Sequence, residues 1–351
     1  MVGSTYKRNY VLDIVRIVAI LTVVMIHCST SFVTHYPLFT YEFISGNLFD
    51  GISRIGVPLF LMVSGALFLD EQKEVTFKSI LSKNIKTLAI ITITWAIIYS
   101  VVYNVILPVL TNENISAKNA IGGIITGHYH MWYLYMIMGL YIITPFLKKF
   151  VCKENKQMVL LFIIISFCFQ FFTPIINIIC QLGLDISIIN VWMRKFQLDF
   201  FGGYITYFLV GWYIVHIGIK QKWITRVIYF FGVASIIFTV LYVHFTGDYD
   251  NAYSYLGVPV FVYSISVFLA INNIDWKLKE KSINRLTKFS KLTFGVYIVH
   301  VLVITVYRRL FPYSRYSVLY IVVCFVVVVC SSFFVSYIIS KIPVLKKIIK
   351  A

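Results

Sequence analysis

Ten apolar stretches divide this sequence, most of them close to the ~20 residues that cross a ~30 Å hydrocarbon core. Their bounds are near 11–33, 49–70, 87–108, 129–147, 158–180, 199–219, 227–246, 255–274, 292–311 and 317–340. A chain in lipid must satisfy its backbone hydrogen bonds within the segment, which selects helices for runs of this length. The expectation is an all-α, polytopic membrane protein of about ten transmembrane helices. With 60% hydrophobic and 13% charged residues, too little polar surface is left for a soluble domain of 351 residues. No connection is long enough to fold alone, so residues 1–351 read as one membrane domain with no soluble extracytoplasmic domain. IINVWM, beginning at Ile188, reads as a re-entrant or interfacial piece that leaves the helix count open by one.

The net charge of +17 would point to nucleic acid in a soluble chain. Here its placement matters more. If the N-terminus is cytoplasmic, 23 of the 31 Lys and Arg fall on the cytoplasmic side, including Lys7, Arg8, Lys73, Lys148 and the set from Lys277 to Lys291. Six fall outside: Lys118, Arg194, Lys195, Arg308, Arg309 and Arg315. This bias places both termini in the cytoplasm and makes the charge a topology device, with no nucleic-acid partner required. The basic flank before the first apolar run resembles a signal peptide, but Asp13 and Arg16 interrupt the run and no small-residue cleavage pattern follows. The six scattered cysteines form no CxxC pair and suggest neither a disulfide framework nor a metal site.

The first stretch, VLDIVRIVAILTVVMIHC, carries Asp13, Arg16 and His27. A charge at the bilayer centre costs about 3 kcal/mol on insertion scales, so such residues default to a functional reading. Eleven residues separate Arg16 from His27, and eleven helical steps return to within ~20° of the same face, ~16 Å further along the axis. The pair marks two depths of one passage, with Asp13 placed to pair with Arg16. The competing reading is snorkelling toward the two interfaces. In the second stretch, SRIGVPLFLMVSGALF, Arg54 lies at the depth of His27, Pro58 frees a backbone carbonyl, and Ser64-Gly65 permits close approach. An ordinary kinked packing face with a snorkelling arginine is the alternative. HYHMWYLYMIMGLYIITPF adds His128 and His130 at the outer interface, and SKLTFGVYIVHVLVI adds His300 near mid-membrane with Tyr297 one turn before it.

Four motifs occur in order: R-x10-H (Arg16, His27), R-x3-P-L-F-x3-S-G (Arg54, Pro58, Leu59, Phe60, Ser64, Gly65), H-x-W-Y-L with Y-x3-P (His130, Trp132, Tyr133, Leu134, Tyr141, Pro145), and S-x2-T-F-G-V-Y-x2-H (Ser290, Thr293, Phe294, Gly295, Val296, Tyr297, His300). Together they resemble the acyltransferase-3 family of integral membrane O-acyltransferases, over essentially the whole chain. The first two look most like bacterial surface-polysaccharide O-acetyltransferases of the enterobacterial common antigen type. Leu61, Ala66 and Thr293 depart from the family pattern in packing more than in charge.

The resemblance implies a bacterial inner-membrane enzyme that moves an acyl group from cytoplasmic acyl-CoA to a glycan hydroxyl at the outer face. Acetyl-CoA is the expected donor, succinyl-CoA an alternative, and the acceptor a surface polysaccharide or lipid-linked oligosaccharide. Arg16 is expected to bind the donor, His27 to act as general base or transient acyl carrier, and Arg54 to offset charge on the tetrahedral intermediate. Asp13, Ser64, His130, Tyr297 and His300 are candidates for orienting or substrate-binding roles; no metal is expected. A transporter or flippase of a lipid-linked sugar is the competing class, since it too combines many helices with buried charge.

Overall fold

The computed structural model describes residues 9–195, 203–312 and 317–350, except for the side chains of Gln170, Phe172 and Arg194. Lys7, Arg8 and Arg315 of the charge count, and residues 199–202 of the sixth apolar stretch, lie outside the described residues. Among the described residues every regular element is helical. The principal helices are α1 (Tyr10–His35), α2 (Tyr41–Ser53), α3 (Gly56–Phe68), α4 (Phe77–Thr111), α5 (Ala117–Thr126), α6 (Trp132–Leu147) and α7 (Lys156–Gln181). They continue as α8 (Ile188–Lys195), α9 (Ile205–His216), α10 (Lys222–Thr246), α11 (Val258–Asn273), α12 (Glu280–Ser290), α13 (Thr293–Leu310) and α14 (Ser317–Lys341). Eight segments are long and apolar enough to cross a membrane, and α9 and α11 are shorter apolar helices. The protein is an all-α, multi-pass membrane protein.

Boundaries follow local chemistry. Asn9 caps α1 by accepting from the Val11 amide at 3.0 Å, and Thr40 caps α2 by accepting from Phe43 at 3.2 Å. Asn112 ends α4 in the left-handed region (φ 56°), where a short amide side chain is tolerated. The long helices α4 and α7 each contain π-helical turns, at Ile80–Ile85, Val102–Ile106 and Phe167–Phe171. α1 lies at the centre, packed on α2, α3, α11, α12, α13 and α14.

Two expectations need correction. The second span is two helices, Tyr41–Ser53 and Gly56–Phe68, with Arg54 at the junction. Pro58 sits in the first turn of α3, where its missing N–H costs nothing, so it helps start a helix instead of kinking one. α5 begins at Ala117, capped by Ser116 and packed on α4. The mixed-charge segment before α13 forms the surface helix α12, whose one buried residue is Ser290.

Close approach at Ser64-Gly65 is realised against α9. A methyl group at Gly65 would overlap the Phe208 backbone, and one at Gly211 would overlap that of Met62. The two glycines face each other's helices, so α3 and α9 touch main chain to main chain. Gly65→Ala and Gly211→Ala should each destabilise the protein by at least about 1–3 kcal/mol, since backbone cannot yield as a side chain does. Thermal unfolding of each variant in detergent checks this; a wild-type midpoint for either would contradict the packing.

Candidate active site

The polar residues of α1 are held from below by α12 and α13. Asp13 is fully buried. Its carboxylate accepts from Arg16 at 2.7 Å, from Ser290 Oγ at 2.7 Å and from Thr287 Oγ1 at 3.1 Å. Two hydroxyls from the charged surface helix therefore fix the carboxylate, and the carboxylate fixes the guanidinium. The Arg16 side chain keeps 25% of its surface accessible and lines a cavity of about 370 Å³ near the end of the bundle where α1 begins. Ser64, Lys73, Asn84, Tyr141 and Thr293 share that lower cavity. Lys73 stands in the loop after α3, its ammonium 4.0 Å above the Phe68 ring. Burial pushes it below the usual lysine range; Lys148 adds to the shift, Asp70 opposes it and Arg16 adds again. The lower cavity thus presents concentrated positive charge at a depth where it is poorly hydrated.

His27 lines a second cavity, about 380 Å³, together with Arg54, His130, Trp132, Tyr255 and Arg308. Arg16 and His27 thus line two neighbouring cavities, at the two depths that eleven helical steps give. Tyr133 and Tyr297 line both cavities. Their rings meet edge to face at 5.6 Å, forming the partition between the two. The structure therefore places Arg16 in one cavity and His27 and Arg54 in another, the two sharing the Tyr133 and Tyr297 walls.

His27, His35 and His130 line this upper cavity, and His300 packs against the rings of His27 and His130. The His27 ring centroid lies 5.0 Å from that of His300 and 6.5 Å from that of His130, and the last two are 5.5 Å apart. His300 Nδ1 is 2.7 Å from the Tyr297 carbonyl and 3.2 Å from that of Val296. Carbonyls only accept, so Nδ1 carries the proton and Nε2 is left as a bare acceptor. That Nε2 is buried without a hydrogen-bond partner, and so is Nε2 of His130. Tyr297, one turn before His300, does not pair with it through its hydroxyl. That hydroxyl donates to the His130 carbonyl at 2.7 Å, and the contact to His300 runs through the Tyr297 main chain. His27 Nδ1 faces the Tyr129 hydroxyl at 3.3 Å, and the His27 carbonyl accepts from Arg308 at 2.7 Å.

Besides Lys73, two charged residues were not among the candidates. Asp50 is buried and pairs with Arg54 at 2.6 Å, while its other oxygen accepts from Thr30 at 2.7 Å. Its spacing of four from Arg54 carries the signal, because a helix brings such residues together. The charge bias places Arg308 on the outer side. It stands eight residues after His300, ~80° round the helix, so no shared face gave it away. Among the described residues no group of three or more His, Cys, Asp or Glu side chains is placed to hold a metal ion. Cys28 does not line either cavity and lies 3.6 Å, sulfur to sulfur, from Cys324.

The sequence profile of the acyltransferase domain that defines the acyltransferase-3 family matches residues 9–339. The chain belongs to that family and is a membrane acyltransferase. No curated protein and no solved structure matches it. Family membership decides between the two classes of function that the sequence leaves open, in favour of acyl transfer to a hydroxyl over transport.

Asp13→Ala should lower stability by about 3–5 kcal/mol, because it strands a partly buried guanidinium. Ser290→Ala, which removes one hydroxyl from a retained ion pair, should cost only about 1 kcal/mol. Unfolding midpoints of both variants check the order; equal losses would mean that the carboxylate is not the anchor of Arg16.

Proposed function

We propose that this protein transfers an acyl group, most simply acetyl from acetyl-CoA, to a hydroxyl of a cell-surface or lipid-linked glycan across a bacterial inner membrane. The observation that carries the proposal is the partitioned route: a cationic cavity around Arg16 and Lys73, and an imidazole cavity around His27, meeting at Tyr133 and Tyr297. The excess of basic residues on the loops flanking the Arg16 end supports a cytoplasmic mouth there. Acyl-CoA is anionic and membrane-impermeant, which suits a cationic cavity on that side. Arg16 and Lys73 would hold phosphate or carbonyl oxygens by charge-assisted hydrogen bonds while the acyl thioester reaches past the tyrosines.

At the imidazole cavity His27 takes the proton of the acceptor hydroxyl. The oxygen attacks the thioester carbonyl carbon, the tetrahedral intermediate collapses with loss of the carbon–sulfur bond, and the departing thiolate receives the proton as free CoA thiol. Arg54 and Arg308 supply positive charge on the cavity wall as the carbonyl oxygen becomes anionic. Asp50 already neutralises much of Arg54, so Arg308 joins it in this role. His300, with its tautomer fixed by two carbonyls, and His130 keep the region around His27 polar.

His27→Gln should reduce transfer by about 10²–10⁴-fold while leaving donor binding near wild type. Radiolabelled acetyl transfer and a direct acetyl-CoA binding assay separate the two; undiminished turnover would remove His27 as the base. Arg16→Ala should weaken donor binding, and unchanged affinity would remove that role.

A pH effect follows from Lys73. Burial lowers its proton affinity, so the charged form is less favourable in the empty cavity than it is in water. A bound anion restores that affinity, so binding should take up protons and weaken as pH rises from about 7 toward the lysine range. Lys73→Met should weaken binding at neutral pH and flatten this slope, as read by donor affinity across that range.

A further inference from the structure

A third hollow, of about 260 Å³, opens beside the imidazole cavity and is assigned no part in the transfer described above. Arg54 and Tyr255 belong to the walls of both, so the two spaces adjoin across these side chains. The remaining wall comes from distant parts of the chain: Tyr204 just before α9, and Tyr249, Asp250, Tyr253 and Ser254 between α10 and α11. Trp132 extends the aromatic surface from the α6 side, its ring 5.8 Å from that of Tyr255 in a stacked arrangement and 5.7 Å from that of Tyr204.

Aromatic residues near a membrane surface ordinarily form a belt directed at lipid headgroups. These are arranged differently. Tyr253 is only 4% exposed, and the guanidinium of Arg54 sits 4.3 Å over its ring. The Tyr253 hydroxyl is tied to Asn47 Oδ1 at 2.6 Å, and the Tyr255 carbonyl accepts from Tyr207 at 2.6 Å. The segment carrying these rings is therefore anchored to α2 and α9, with its faces turned toward a charged residue instead of lipid. The Nε of Arg54 is buried and has no hydrogen-bond partner.

From these observations we infer that the hollow is the acceptor-binding site and that it holds a pyranose ring of the glycan. A pyranose has an apolar face of axial C–H groups and a rim of hydroxyls. It needs flat aromatic surface and hydrogen-bonding groups together, which is what Tyr255, Tyr204 and Trp132 with Asp250, Ser254 and Arg54 provide. A lipid acyl chain would leave the carboxylate, the hydroxyl and the guanidinium unmatched, and a phosphate would meet Asp250. A ring seated here directs a hydroxyl past Arg54 and Tyr255 into the cavity of His27. Tyr255 is on this view a specificity residue, touching sugar on one side and facing the reaction space on the other.

The inference rests on the acyl-transfer proposal for its meaning but not for its test. Full-length protein in detergent is titrated with p-nitrophenyl pyranosides of gluco, galacto, manno, rhamno and N-acetylglucosamino configuration, with binding read by saturation-transfer NMR. At least one should bind to the wild type. Tyr255→Ala should weaken that binding tenfold or more, Tyr255→Phe should retain it, and Asp250→Asn should change the preference among the five rings. Acetyl-CoA affinity should be unaffected by either Tyr255 variant, which also reports that each is folded. No binding by any pyranoside, or equal binding by wild type and a folded Tyr255→Ala, overturns the inference. Consumption of acetyl-CoA is measured separately. Pyranoside binding that depends on Tyr255 without any acyl transfer would keep the sugar site and reject the transfer proposal; transfer that ignores Tyr255 would do the reverse.

Discussion

Charged side chains on the central helix of a membrane protein have to be shielded from lipid on every side, and the burial of Asp13 organises this structure around that need. One carboxylate collects a guanidinium and two hydroxyls. The hydroxyls come from α12, which lies at the surface, and the guanidinium turns into the cavity. An isolated charge in this position would cost several kcal/mol, so α12 must dock for α1 to keep its polar residues inside. Because α1 is also the helix against which α2, α3, α13 and α14 pack, the ion pair at one end fixes the rotation of the whole helix. That rotation is what carries His27, eleven residues on, into the upper cavity.

The same requirement recurs at the other end in a different form. Arg54 lies where α2 gives way to α3, and a buried acid one turn earlier balances it. Arg308 arrives from α13 and spends a hydrogen bond on the His27 carbonyl. The imidazoles of His130 and His300 bring no formal charge when neutral, yet each leaves an unmatched nitrogen in a buried space. Unsatisfied polar atoms are costly where lipid and apolar side chains surround them. Their persistence is understandable if a substrate completes them, and a sugar hydroxyl or a thioester oxygen has the chemistry to do so.

Much of this was legible in the residues. Hydropathy and length yield the all-α membrane class, and the 3.6-residue period puts Arg16 and His27 on one face. The motif holding Arg54, Ser64 and Gly65 also lies where its spacing implies, against a second glycine on α9 that no local pattern announced. What escaped was long-range. Asp13 finds Ser290 across 277 positions, and Arg308 finds His27 across 281. Neither contact has a period to reveal it. The break at Arg54 was hidden because its backbone remains close to helical, with φ −61° and ψ −7°, while Pro58 drew attention to a kink four residues too late.

The partition formed by Tyr133 and Tyr297 separates two electrostatic environments that the proposed chemistry needs at once. Phosphate-bearing donor and neutral sugar acceptor favour different surroundings, the first lined by Arg16 and Lys73, the second by imidazoles and aromatic rings with Arg54 balanced by Asp50. A single open channel would mix them and give water a direct path to the thioester. Two rings in edge-to-face contact, one of them fixed through its hydroxyl to the His130 backbone, keep the spaces distinct while leaving only side chains between them. Side-chain rotation is a far smaller change than helix movement. On the proposed reading, a thioester of a short acyl group needs only that much displacement to reach the imidazoles, and a bulkier group needs more, so the tyrosine pair couples closure of the route to selection of a small acyl group.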